Sequence, residues 1–167
     1  MSLRGRLLIF IGKAIGFLLA GAVIWYFIAP AYNRLLLATT SVFMPSDPML
    51  VLRQDTIYIY SQASAQPVGG IYISALHYGL ILVVALILAT PGMKPLKRLK
   101  FTAIALVAIF AVHLTSVTLF AQTALSTTTQ SMGQNPLIIL FAIIGADLFP
   151  VAVWAGLSYK YFLTRPA

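Results

Sequence analysis

Three side chains in this sequence could carry chemistry, and each sits inside an apolar run: His77, His113 and Asp147. Titratable groups in stretches such as LHYGLILVVALILA and AIALVAIFAVHLTSV are costly to dehydrate, which makes them functional candidates by default. The two histidines could ligate a b-type haem, provided that one ring comes from each of two helices at matching depth. Asp147 with His113 could instead form a proton or ion path, with Thr115, Ser116 and Thr118 as relays. The third reading is structural. A neutral imidazole bonds a neighbouring carbonyl, and a protonated Asp147 donates to one such as that of Ala146, whose usual donor Pro150 lacks. Asp147 is read in this last way, as a neutral intramembrane donor.

Other chemistry is excluded. The chain has no cysteine, hence no disulfide, thiolate metal site or cysteine nucleophile. It shows no glycine-rich phosphate loop, metal-ligand spacing or serine elbow. The remaining acidic residues, Asp47 and Asp55, read as turn residues. No catalytic and no metal-binding residue is expected, and the protein is read as non-enzymatic.

The elements that must position these side chains follow from composition. Of 167 residues 60% are hydrophobic and 8% charged, whereas a soluble domain needs about a quarter charged. The solvent is therefore lipid, and the chain reads as one polytopic membrane domain over residues 1–167. Four runs, about 7–29, 71–90, 101–121 and 136–162, are long enough to cross roughly 30 Å of hydrocarbon. The expected fold is an all-α membrane protein of four transmembrane helices with a small extracytoplasmic β-hairpin. The first run is too long for a cleavable signal peptide, and PAYNR is a poor cleavage site.

The net charge of +8 could suggest nucleic acid, but the basic residues cap apolar runs. Arg4, Arg6, Lys13, Lys94, Lys97, Arg98, Lys100, Lys160 and Arg165 fall on one side, against Arg34 and Arg53 on the other. Both termini are then cytoplasmic, in a bacterial inner membrane or another energy-transducing membrane. An antiparallel second and third helix put His77 opposite Leu114, so His77 and His113 differ in height by roughly 1.5 Å.

Residues 30–70 form the outer segment. Its first part, 34–44, continues a helical pattern along the membrane surface or as an extension of the first helix. PSDP breaks that pattern, and MLVLRQDTIYIYSQ then sets Thr56, Tyr58 and Tyr60 against Ile57 and Ile59. This alternation predicts a hairpin turning at Gln54-Asp55, which must rest on the helices or on a partner. On the first helix Gly12, Gly16 and Ala20 recur every four residues, so that a second backbone can approach. Packing within the chain is the first expectation and a partner helix the second. Trp25, Tyr26, Tyr72 and Tyr78 fall near the outer boundary, where amphipathic rings settle.

Taken together, Tyr32-Asn33-Arg34-Leu-Leu, the run YGLILVVALILATPG, the KRL turn, the helix with AVHLTSV and Pro150-x3-Trp154 resemble the small membrane proteins associated with exosortase and archaeosortase systems. Exosortases proper are membrane transpeptidases with a Cys, an Arg and a His. This chain has no cysteine, and it carries His113 roughly where that family's arginine-bearing motif would fall, so transpeptidase activity is not carried over. The resemblance implies an accessory or degenerate relative that partners a larger enzyme. The expected function is therefore a non-enzymatic accessory subunit of an integral membrane complex, without a cofactor. Its expected partners are membrane lipid and a membrane protein or second copy, not nucleic acid. A bis-histidine haem b electron carrier is the runner-up.

Overall fold

The computed structural model describes residues 3–44, 49–61, 65–126 and 148–163. Helix α1, Leu3–Phe43, runs for 41 residues with Pro30 inside it. At 1.5 Å per residue it is about 60 Å long, twice the hydrocarbon thickness. The sequence reading ended this helix at residue 29, because a proline removes one helical hydrogen bond and crowds the carbonyl four residues back. Packing beyond Pro30 carries the helix through: Asn33, Leu36 and Thr40 are all buried, at spacings of three and four. Of the two options for residues 34–44, the helical extension is the one that forms.

The outer segment then makes a three-stranded antiparallel sheet, β1 Met49–Arg53, β2 Thr56–Tyr60 and β3 Pro67–Tyr72, in that order. Arg53 pairs with Thr56, so Gln54-Asp55 is the whole turn, as the alternation implied. Gln54 takes φ of 52°, a left-handed conformation that non-glycine residues adopt at some cost. Ile57 and Ile59 are fully buried, while Thr56, Tyr58 and Tyr60 on the other face are half-buried. The hairpin rests on the helices: Ile57 packs with Leu36, Ile73 and Val117, and Ile59 with Met44, Ala121 and Ala124.

The third strand is an addition to the expected hairpin. The sequence reading assigned no strand to PVGGIY, where paired glycines disfavour one. Here Tyr58 pairs with Gly70, and a Cβ on Gly70 would lie 3.3 Å from Thr56 Cγ2. The glycine is what lets the neighbouring strand's side chains close over it. Ile71 and Tyr72 belong to this strand, so helix α2 begins later than expected, at Ser74, and ends at Ala89. The backbone N–H of Ile73 donates to the carbonyl of Asp55 at 2.9 Å, tying the hairpin turn to the start of α2.

Helix α3, Pro95–Ser126, outruns the expected 101–121 at both ends. Its inner stripe is Ala105, Ile109, His113, Val117 and Ala121, every fourth residue and each fully buried. Helix α4, Phe149–Leu163, packs against α2 and α3. The earlier part of the expected fourth helix, Asp147 included, lies outside the described residues, as does Asp47.

The described chain is thus mainly helical with a small sheet at one end and the basic α2–α3 turn at the other. Two helical stretches, Leu7–Phe43 and Pro95–Leu125, are long and apolar enough to cross a membrane, while Leu76–Ala89 is apolar but shorter. Large apolar side chains stay bare along α1, among them Leu8, Leu19, Val23 and Phe27.

Candidate functional site

Three of the buried polar residues, Asn33, His77 and His113, gather where α1, α2 and α3 meet below the sheet. His113 is the one polar member of the inner stripe of α3. Trp25 and Tyr32 on α1 are seven residues apart, two helical turns, and so share a face. That face brings the Tyr32 ring against both histidines, with ring centroids 5.9 Å from His77 and 6.1 Å from His113. Trp25 packs edge-on against Tyr32 and against His77, each at 5.3 Å. Phe110 closes the other side of Tyr32 at 5.8 Å.

Two side-chain hydrogen bonds order the cluster. The Tyr32 hydroxyl and His113 Nδ1 are 2.7 Å apart, and His77 Nε2 and Asn33 Oδ1 are 2.8 Å apart. An amide oxygen can only accept, so Nε2 of His77 is the donor. If the phenol donates to Nδ1, a neutral His113 carries its proton on Nε2. That atom is buried and has no hydrogen-bond partner, as is the indole nitrogen of Trp25. Buried donors without partners are uncommon, and each calls for an explanation.

The contacts of both histidines bear on the haem and relay readings. The sequence placed His77 and His113 at one level, and both do reach the same ring. In this structure the Tyr32 phenol ring contacts both imidazoles. One nitrogen of each imidazole is also already engaged. Among the described residues no group of three His, Asp or Glu could hold a metal ion. Of the residues named as relays, Thr115 donates to the carbonyl of Ala111 and Ser116 to that of Val112, at 2.9 and 2.8 Å, while Asp147 lies outside the described residues. Hydroxyls bonded back to their own helix need no further partner.

Beside the cluster, towards the sheet, opens a cavity of about 810 Å³. Trp25, Asn33 and Arg34 of α1, His77 of α2 and Asp55 of the hairpin turn line it. Asn33 and His77 thus belong both to the buried cluster and to the cavity wall. Sequence reasoning found the histidines but missed Tyr32, Asn33 and Trp25 as their neighbours. The seven-residue spacing from Trp25 to Tyr32 was the available signal, hidden by ending the helix at Pro30.

The stripe Gly12, Gly16 and Ala20 is exposed. Among the described residues, an added Cβ at Gly12 or Gly16 would meet nothing within 4 Å. The close approach of α1 to α2 falls at Gly21 instead, where a Cβ would lie 3.0 Å from Ile81 Cγ2.

A second polar knot, unforeseen from the sequence, sits at the opposite end. Thr90 is fully buried. Its hydroxyl donates to the carbonyl of Leu86 at 2.8 Å and accepts from the Trp154 indole at 3.1 Å. Its carbonyl accepts from the Arg98 guanidinium at 3.0 Å. Phe10 stacks on Trp154 at 5.7 Å, so this knot joins all four helices.

Compared with known proteins, the chain matches no family model, no curated protein and no solved structure.

Proposed function

We propose that the protein is a non-enzymatic accessory subunit of an integral membrane complex. It spans a bacterial inner membrane with four helices, both termini and the basic turn on the cytoplasmic side, and it docks through α1. The observation that supports this reading is the bare stripe of small residues on that helix. Among the described residues a Cβ on Gly12 or Gly16 would meet nothing within 4 Å, yet both lie on a 37-residue apolar stretch where small residues let helix backbones approach closely in lipid. The occupant that fits is a transmembrane helix of a larger membrane protein. The resemblance to exosortase-associated proteins suggests an enzyme of the protein-sorting class as that partner.

Gly16→Leu tests this directly, because it adds bulk where the chain itself has open space. Affinity purification from native membranes in mild detergent should lose the co-purifying membrane protein, while expression, insertion and thermal stability stay as in the wild type. Retention of the same partner by Gly16→Leu would reject docking through this face.

A further inference from the structure

A second space adjoins that cavity. It is a groove of about 250 Å³ that continues from the cavity away from the sheet and is lined almost wholly by apolar side chains of α1, α2 and α3. Trp25 and Ile81 line both spaces, so they are neighbours with a shared wall. Their order along the helices is consistent: on α1 the groove is lined from Phe17 and the cavity up to Arg34, and on α2 the groove reaches Leu88 and the cavity Ser74. A chamber carrying Asn33, Arg34, Asp55 and His77 on otherwise mainly apolar walls thus stands at the sheet end, and an apolar slot runs from it toward the basic-turn end.

We propose that the two spaces together hold one zwitterionic glycerophospholipid with an amine head, of the phosphatidylethanolamine type. The head occupies the cavity and one acyl chain descends into the groove. The walls carry the complementary groups. Arg34 supplies a guanidinium for the phosphate, and Asp55, across the chamber on the hairpin turn, supplies a carboxylate for the ammonium. The volume of the cavity lies within the roughly 300–1,000 Å³ usual for small-molecule sites. At the junction of head and tail the lipid has ester carbonyls. Trp25 lines that junction, and its buried indole N–H lacks an acceptor. Thr102, which lines the groove, likewise has a buried hydroxyl with no partner. The inference rests on the membrane-spanning reading, and carbonate extraction of native membranes tests that reading separately. It does not depend on a protein partner.

The chain has two tryptophans, so Trp154→Phe leaves Trp25 as the only reporter. Delipidated Trp154→Phe protein in detergent micelles is titrated with phosphatidylethanolamine or phosphatidylglycerol bearing brominated acyl chains. Saturable quenching of Trp25 is expected, with phosphatidylethanolamine effective at about fivefold lower concentration, the scale of one partly exposed ion pair. Asp55→Asn should erase that preference, and Val84→Phe, which fills the groove, should weaken quenching by both lipids. As a check that needs no substitution, native mass spectrometry of the wild-type chain should retain one phosphatidylethanolamine per chain. Quenching that rises without saturation, equal retention of both lipids, or a preference unchanged by Asp55→Asn would each overturn the proposal.

Discussion

The two polar knots at opposite ends of the bundle solve the same problem in different ways. Near the basic turn, Thr90, Arg98 and Trp154 satisfy a helix end. The carbonyl of Thr90, at the C-terminus of α2, receives a charged guanidinium, where the helix dipole favours a cation. Beneath the sheet, Tyr32, Asn33 and His113 in mid-helix and His77 in the first turn of α2 bond side chain to side chain, and none of these bonds caps a helix end. Buried nitrogens without a partner occur at both ends, on His113 and Trp25 above and at Arg98 Nε below, but only the upper cluster shares side chains with a large cavity. A knot that closes a helix end is explained by folding alone. One that adds polar groups where no helix end requires them, and opens onto a cavity, points to binding.

This contrast orders the expected effects of substitution, read as changes in thermal or denaturant stability in detergent. The largest should come from Trp154→Ala, which loses the Phe10 stack, the Thr90 bond and the packing of α4, at about 3 kcal/mol. Trp154→Phe should recover all but the bond and cost about 1 kcal/mol. Next comes Arg98→Met, which keeps the aliphatic stem but removes the charged donor from the Thr90 carbonyl, at about 1.5 kcal/mol. Tyr32→Phe should cost less, about 0.6 kcal/mol, the average for hydrogen bonds between membrane helices. A loss at Tyr32 exceeding that at Arg98 would reverse the contrast and make the upper cluster the main structural knot.

The smallest effect on stability is expected for the double substitution Tyr32→Phe/His113→Leu. It removes both partners of the bond together with the buried Nε2 of His113, so no polar group is left stranded. The fold should hold within about 0.5 kcal/mol, while His113→Leu alone, which leaves the Tyr32 hydroxyl unpaired, should cost about 1 kcal/mol. Destabilisation of the double variant by more than about 2 kcal/mol would mean that His113 is better satisfied than its contacts indicate.

Much of this architecture can be read in the residues themselves. Alternation through TIYIY gave the hairpin, its buried face and the turn at Gln54-Asp55, because a period of two in half-buried strands leaves few other options. Antiparallel pairing of α2 and α3 put His77 and His113 at one level. What escaped did so for identifiable reasons. Pro30 masked the continuation of α1, since local propensity argues for a break and only tertiary burial of Leu36 and Thr40 argues against it. Paired glycines masked β3, whose strand character depends on Tyr58 covering Gly70. Thr90 looked like an ordinary helix terminus, because its partners Arg98 and Trp154 are remote in sequence or beyond a turn. The bare Gly12-Gly16 stripe read as internal because spacing shows that a helix can be approached, not what approaches it.

The most direct test of the account is which side of a membrane each end of the bundle faces. The chain contains no cysteine, so single cysteines can be introduced without background. Ser126, the last residue of α3, and Leu96, 77% exposed beside the basic turn, are the informative positions. In intact cells a membrane-impermeant thiol reagent should label Ser126→Cys and leave Leu96→Cys unlabelled until the membrane is opened. Labelling of Leu96→Cys alone would invert the orientation, and equal labelling of both in intact cells would contradict a bundle that spans the membrane with its sheet outside.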